Sequence, residues 1–158
     1  MKYFRQRDRY SCAAVAFLNA FKWMGINTSS KQLSSLKQML RTTVKDGTTR
    51  RDSAWLAKSA GFKRVRKPTI AKLDAELIAG NALIVETGFP DRDCGHAYLI
   101  IRRTTRYFVC VNLFRNRTVV RVSKERIARR LLYKPAVYRV TPLEVGPNLV
   151  FYPLKKAA

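Results

Sequence analysis

The stretch Gly95-His96-Ala97-Tyr98-Leu99-Ile100-Ile101 starts with a polar imidazole and continues as an apolar run of the length of a strand. A second run, Tyr107–Asn112, follows after Thr104-Thr105, and the two runs predict an antiparallel hairpin. Folding the chain at that turn brings His96, the single histidine of the sequence, close to Asn112 in the register. The hairpin therefore joins a candidate base to a candidate hydrogen-bond partner.

The half of the chain before this hairpin has helical periodicity. Apolar residues recur at helical spacing from Cys12 to Phe21, and Gly25 is placed to end that helix. Three further helices are predicted: one after the capping-box pattern Ser29–Gln32, one capped by Thr49, and a short one over Ala71–Ile78.

The rest of the chain changes to strand-like runs on both sides of the hairpin. They lie at Ala82–Val85, Thr118–Val122 and Ala136–Val140, with a short helix capped by Ser123. Helices first and antiparallel strands second are typical of an α+β domain. The 158 residues fit one such domain, which we place at 1–141, followed by a C-terminal extension over 142–158 that contains three prolines.

The charge of the chain is strongly positive. Thirty-two Lys and Arg face ten Asp and Glu, so the net charge is +22, and the basic residues are spread along the whole chain. Such a field attracts anions, and we expect the surface to favour acidic or nucleic-acid-associated partners. The compactness and charge suggest a phage or mobile-element product.

The three cysteines do not make a disulfide framework. No signal peptide is evident at the N-terminus, and no apolar run has the length of a membrane span. We therefore expect a cytoplasmic location, with association with a virion as the alternative, and we leave the oligomeric state open.

A thiol that starts a helix and an imidazole that starts a strand are the two halves of a papain-type nucleophile and base. The dipole of the first helix would favour the thiolate of Cys12, and His96 would move the proton. Asn112 would orient the imidazole through an Nδ1–H hydrogen bond. The amide of Gln6 would hold the oxyanion together with the main-chain N–H of Cys12.

These residues resemble the peptidase C39 family of papain-fold cysteine proteases and its C39-like relatives. The family pattern of Gln, Cys, a Gly-Thr turn, a His at a strand start and an Asp-Pro on the next strand is matched from about Tyr3 to Val140. The matching positions are Gln6, Cys12, Gly47-Thr48-Thr49, Gly95-His96 and, imperfectly, Asn112-Leu113.

The resemblance implies a papain-like fold and a cysteine peptidase (thiol hydrolase) that acts on a protein or peptide, with no cofactor and no metal. Two patterns depart from the family: Asp-Cys-Gly is Ser11-Cys12-Ala13 here, and Asp-Pro is Asn112-Leu113. Asn is an ordinary orienting residue in papain-like enzymes, whereas the changes beside Cys12 bear on the substrate subsites.

Family members fused to bacteriocin exporters remove double-glycine leader peptides. The sequence has no transporter segments, so that substrate does not carry over.

Three other interpretations stay open. Cys12 and His96 can each be core residues, since free Cys is among the most buried residue types. Cys94-Gly95-His96 can ligate zinc together with Cys110 and Cys12, although the paired-cysteine knuckle of structural zinc sites is missing. The chain can also be a catalytically inactive scaffold that binds nucleic acid through its basic surface.

Overall fold

A six-stranded antiparallel sheet, packed on one face against the first helix, organises the structure. The computed structural model describes residues 1–89, 92–114 and 116–143, and of residues 92–94 it describes the main chain only. The elements are, in chain order, α1 (Cys12–Trp23), α2 (Gln32–Met39), α3 (Arg50–Ser59), β1 (Lys63–Arg64), α4 (Ile70–Ile78), β2 (Ala82–Phe89), β3 (Arg92–Arg103), β4 (Tyr107–Phe114), β5 (Arg117–Ser123), α5 (Lys124–Arg130) and β6 (Ala136–Val140).

The predicted helix starts at Cys12, Thr49 and Ser123 are confirmed, whereas only one bond of the predicted capping box forms, from Ser29 N–H to Gln32 Oε1, and α2 begins at Gln32 without a side-chain cap. α1 begins at Cys12, and Gly25 follows its end with a φ of +94°, a conformation that glycine adopts without strain. The side chain of Thr49 caps α3 by accepting a 3.2 Å hydrogen bond from the main-chain N–H of Asp52. Ser123 caps α5 in the same way.

The strand order is β1-β6-β2-β3-β4-β5, and neighbouring strands run antiparallel. The predicted hairpin is confirmed as β3 and β4, in which Leu99 pairs with Val111. That register carries His96 to the level of the last residues of β4. β2 extends past the predicted end at Val85 to Phe89, and the two-residue β1 has no counterpart among the predicted strands.

Two apolar clusters lie on opposite faces of the sheet, because successive residues of a strand point to opposite sides. Ile84 faces the cluster formed with α1, α2 and α3, whereas Leu83 and Val85 face the cluster formed with α4 and α5. Phe17 and Phe21 are fully buried in the first cluster. Burying an aromatic or aliphatic side chain of this size contributes about 1.5–3 kcal/mol, so this cluster anchors α1 and the thiol at its start.

The predicted α+β class is confirmed by five helices and one antiparallel sheet among the described residues. The predicted extension over 142–158 lies, apart from Pro142 and Leu143, outside them, and the domain boundary at 141 stays a prediction. Within residues 1–89, 92–114 and 116–143, none of the helices has the length and apolar character needed to cross a membrane.

Candidate active site

Cys12 is the first residue of α1 and is half-buried. The start of a helix leaves main-chain N–H groups without intrahelical partners, and these groups favour a nearby negative charge. The N–H groups of Cys12 and Ala13 on the helix, and of Ala97 on β3, lie near enough to hydrogen-bond the sulfur. The helix start and the strand that carries His96 therefore meet at the thiol.

His96 lies on β3 with its ring stacked on that of Tyr98 at 6.1 Å between centroids. Its Nε2 is 2.8 Å from the main-chain oxygen of Asn112. A carbonyl oxygen only accepts, so Nε2 carries the proton of the neutral ring and Nδ1 holds the lone pair. The expected hydrogen bond from Nδ1–H to the Asn112 side chain is therefore corrected to one from Nε2–H to the Asn112 main chain, and Nδ1 is the basic atom.

The backbone of Asn112 gives the physical reason for this change of partner. Asn112 has a φ of 60°, in the left-handed region, and lies where the pairing of β4 with β5 shifts register between Val111 and Phe114. Asn tolerates this conformation better than most residues, and a bulge of this kind re-aims the groups of a strand. The carbonyl of Asn112 meets His96, while its side chain bonds elsewhere.

A chain of hydrogen bonds links Asn112 to the residues before Cys12. The side-chain oxygen of Asn112 accepts from the main-chain N–H of Gln6 (3.0 Å), and its amide nitrogen donates to Gln6 Oε1 (3.3 Å). Gln6 Nε2 donates to the main-chain oxygen of Asp8 (2.8 Å). The Asp8 carboxylate in turn accepts from the N–H groups of Tyr10 (3.0 Å) and Ser11 (2.8 Å). Gln6 and Asn112 therefore join the His96 strand to the turn that presents Cys12.

One cavity, of about 510 Å³, is lined by both Cys12 and His96. Thr87, which pairs with His96 across β2 and β3, and Glu86 also line it. Gln6 lines a different cavity, of about 500 Å³, with Arg5, Arg7 and Asn116. The structure thus brings the predicted thiol and base to one cavity, and it holds Gln6 next to Asn112.

The pKa values of the thiol and the imidazole shift in opposite directions. Burial raises the pKa of Cys12, and the negative charge of Glu86 raises it further, although the nearby N–H groups oppose both effects. Burial lowers the pKa of His96, and the charge of Arg130 adds to that effect. Desolvation of Cys12 therefore outweighs the helix dipole that was expected to favour its thiolate, and both shifts favour the uncharged forms of the thiol and the imidazole.

Glu86 is a residue of this cavity that the sequence analysis missed. It is only 6% exposed, and its Oε1 has no hydrogen-bond partner among the described residues. Burial raises the pKa of Glu86 to about 6, against a hydrogen bond from Ser53 and the charges of Arg50 and Arg64. The signal that could have indicated Glu86 was its position: it is a carboxylate that directly follows the apolar run Ala82–Val85.

The zinc interpretation needs ligands that the structure separates. Cys12 packs against the cluster on the α1 face, whereas Cys110 is buried in the cluster on the opposite face. Among the residues whose side chains are described, no group of three or more His, Cys, Asp or Glu is placed to hold a metal ion. The remaining predicted ligand, Cys94, has a side chain outside those described.

The fold is similar to that of peptidase domains of known structure. The peptidase domain of Streptococcus ComA, a bi-functional ABC transporter involved in a quorum-sensing pathway, superimposes with a TM-score of 0.69 at 22% sequence identity, over 89% of this chain and 98% of that domain. The peptidase domain of Streptococcus mutans ComA gives a TM-score of 0.55 at 16% identity, over 88% of this chain and 98% of that one.

These identities make the likeness one of fold, and the predicted papain-like fold is confirmed as the fold of these peptidase domains. No protein-family model matches the sequence, and no curated protein matches it.

Proposed function

We propose that this chain is a cysteine peptidase of the C39-like type, with Cys12 as nucleophile and His96 as general base. The observation that carries the proposal is that both side chains line one cavity in a fold shared with peptidase domains. A nucleophile and a base positioned together are what covalent acyl transfer requires. The substrate is a peptide or protein, and the reaction needs no cofactor.

The reaction would start from the neutral pair. As Sγ of Cys12 attacks the scissile carbonyl carbon, its proton passes to Nδ1 of His96. The imidazolium then gives that proton to the leaving amine, and water releases the acyl group from sulfur with His96 as base. The carbonyl of Asn112, which accepts from Nε2–H, stabilises the positive ring and holds its orientation. Asn112 would thus orient the base through its main chain.

The oxyanion would be held at the start of α1. The main-chain N–H of Cys12 belongs to the first helical turn, whose N–H groups lack intrahelical acceptors. Gln6 Nε2 has two hydrogens, of which one is donated to Asp8, and we assign the second to the oxyanion, although Gln6 lines a different cavity from that of Cys12. In this proposal Gln6 and the main-chain N–H of Cys12 hold the oxyanion together, and the hydrogen bond from Asn112 to Gln6 positions the Gln6 side chain.

The positive charge supports a preference for acidic or nucleic-acid-associated partners. A cytoplasmic location, an association with virions and an origin in a phage or mobile element belong to the same proposal. The location was predicted from the N-terminal sequence and the three cysteines, and the origin from compactness and charge.

Covalent labelling tests the proposal. A pooled library of peptidyl vinyl sulfones is incubated with the protein at neutral pH, and modified cysteines are identified by mass spectrometry. We expect Cys12 to react faster than Cys94 and Cys110 and the labelling to fall at least about a hundredfold in His96→Ala. Equal reactivity of the three thiols would refute a peptidase.

A second candidate function is a basic nucleic-acid-binding module on an inactive C39-like scaffold. The shifts that favour a neutral thiol and a neutral imidazole, together with the charge of +22, support it. In that case, DNA or RNA binding would fall steeply with salt and be unchanged in Cys12→Ala, and the vinyl sulfones would leave Cys12 unmodified.

A further inference from the structure

Three arginines and a tyrosine surround a second cavity at the same end of the sheet. Arg126, Arg129, Arg130 and Tyr133 line about 310 Å³ of space with Gly88 and Phe89; these four side chains are called the arginine pocket below. We propose that the arginine pocket binds an acidic side chain of the peptide substrate while the scissile bond lies at Cys12. The inference rests on the proposed peptidase function and names the substrate class of that site.

The geometry of α5 concentrates the charge. Arg126, Arg129 and Arg130 are spaced three and four residues apart, so they share one face of the helix, where like charges repel. The helix dipole favours Arg129 and Arg130 in the last turn, but it disfavours Arg126 near the first. A surface of this kind is at its most stable when an anion occupies it.

The carboxylates of the described residues leave these arginines without an ion pair. The ion pairs formed between described residues use Asp8, Asp52, Asp74 and Glu76, whose partners lie elsewhere in the chain. Arg126 is instead packed over the ring of Phe114, 5.0 Å from its centroid, which holds its guanidinium in place. The pocket therefore has positioned donors and lacks an anion among the described residues.

The arginine pocket and the candidate catalytic cavity are lined by neighbouring residues of β2. Thr87 pairs with His96 and lines the catalytic cavity, and the next residue, Gly88, lines the arginine pocket. One strand residue spans about 3.3 Å. The N–H of Gly88 donates to the main-chain oxygen of Tyr133 (2.8 Å), which fixes the turn after α5 against the strand. Because α1 and α5 lie on opposite faces of the sheet, a peptide bound at Cys12 would reach the pocket past this end of β2, where Thr87 pairs with His96.

The electrostatics agree with this short distance. Burial lowers the pKa of His96, and the positive charge of Arg130 lowers it further. The same charge acts on Tyr98, the residue on which His96 stacks. An acidic group bound to Arg130 would therefore lie next to the base as well as next to the arginines.

The shape of the pocket favours a carboxylate over a nucleic-acid backbone. Several guanidiniums and a phenol converge on one concavity, and the planar fork of arginine matches a carboxylate in two hydrogen bonds. Nucleic-acid sites instead extend basic and aromatic groups along a groove that follows the phosphates. The occupant must also continue into the cavity of Cys12, where a peptide bond is cleaved.

A peptide-library experiment tests the inference. The protein is incubated with a mixed library of natural peptides, and the products are sequenced by mass spectrometry so that both sides of each cleaved bond are read. We expect Asp and Glu to be enriched about fivefold at one fixed distance from the cleaved bond. In Arg126→Gln/Arg129→Gln/Arg130→Gln, we expect cleavage to continue and the enrichment to fall below about twofold.

The matched control removes the same charge from exposed lysines outside the pocket, as Lys58→Gln/Lys63→Gln/Lys67→Gln, and should keep the acidic preference. A single reversal, Arg129→Glu, keeps the test informative if the triple variant does not fold, and we expect it to shift the preference toward basic residues. Circular dichroism melting curves identify variants that have lost the fold.

The outcomes separate the inference from the function on which it rests. Cleavage by the wild type with no acidic preference, or a preference that the triple variant keeps, overturns the inference and leaves the peptidase intact. If no peptide is cleaved, the proposed function itself fails. If the triple variant loses binding to a single-stranded oligonucleotide but keeps the peptide preference, the pocket is a nucleic-acid contact and the inference is wrong.

Discussion

Cys12 and Cys110 are both free thiols that contact the same sheet, and the structure gives them opposite surroundings. Cys12 lies at a helix start, half-buried, beside main-chain N–H groups and a cavity. Cys110 lies in the middle of β4, fully buried in an apolar cluster, where burial raises its pKa to about 12. The thiol is therefore next to a cavity and a candidate base at one position and enclosed by apolar side chains at the other.

The comparison teaches that helix position and burial have to be weighed together. At Cys12 the N–H groups lower the pKa of the thiol, but desolvation and Glu86 raise it by more. The site then depends on a base that removes the proton during attack. Substitutions at the two thiols, at the base and at their neighbours test this distinction.

Removing each thiol in turn should produce the largest contrast. Cys12→Ala removes the nucleophile, so we expect peptide cleavage to fall at least about a thousandfold with little change in stability. Cys110→Ala deletes a buried sulfur and should cost about 1 kcal/mol of unfolding free energy while cleavage stays near wild type. Peptide hydrolysis and urea titration measure the two effects. Equal loss of activity in both variants would erase the distinction.

Removing the base should affect Cys12 alone. In His96→Ala we expect cleavage to fall about a hundredfold to ten-thousandfold, because the variant lacks the Nδ1 that would take the thiol proton. Tyr98→Phe is the matched control: its ring is retained, and the Tyr98 hydroxyl has no hydrogen-bond partner among the described residues. Rates of vinyl sulfone labelling at Cys12 report both variants. If the His96→Ala protein is labelled at the wild-type rate, Cys12 and His96 do not act together as nucleophile and base.

The turn before α1 should matter because it presents Cys12. Asp8→Ala removes the carboxylate that accepts from the N–H groups of Tyr10 and Ser11. We expect about 1–2 kcal/mol of lost stability and about a tenfold lower rate of cleavage.

Asp46→Ala is the control, since Asp46 lines the same cavity but is exposed. Hydrolysis rates and thermal melts compare the two variants. A rate for Asp8→Ala that equals that of Asp46→Ala would show that the turn does not position the thiol.

Glu86→Gln should produce the smallest effect, and one that depends on pH. Burial raises the pKa of Glu86 from 4.5 to about 6, so the folded protein binds this proton more tightly than the unfolded chain. The free energy of unfolding of the wild type therefore falls as the pH rises from about 4.5 through about 6, by about 2 kcal/mol in all. The variant should match the wild type near pH 4 and exceed it by up to that amount near pH 8.

The same substitution should move the pH dependence of Cys12 labelling to lower pH. Removing a nearby negative charge favours the thiolate, so the pKa of Cys12 decreases. Urea titrations at both pH values and a labelling profile measure the two effects, with the exposed Glu125→Gln as control. A stability difference that does not change with pH would mean that Glu86 is not a buried carboxyl acid of the cavity.

Much of this site follows from local sequence. The helix start at Cys12 and the hairpin register near His96 are local patterns of apolar spacing and turn residues, and both are confirmed. The bond of His96 to the main chain of Asn112 was not predictable in this way. It depends on a left-handed φ and a register shift that form only when β4 pairs with β5.

Glu86 was missed for a related reason. An acidic residue at the end of an apolar run usually ends a strand in solvent, but β2 continues to Phe89 between β3 and β6. The carboxyl group is buried by these neighbours and by α3, which supplies Ser53 and Arg50. Only a contact between distant segments makes it part of the cavity of Cys12.

The sequence by itself determined the α+β order, the helix that begins at the thiol, the hairpin that carries the only histidine and the charge of +22. The helix start and the hairpin are set by residues close together in the chain, and the charge is a sum over the whole sequence. Three other facts came only from the folded chain: which nitrogen of His96 is basic, that Gln6 bonds Asn112, and that three arginines of α5 line one cavity with Gly88 of β2. Those facts depend on segments far apart in the chain, whose contacts form only when the sheet closes around α1.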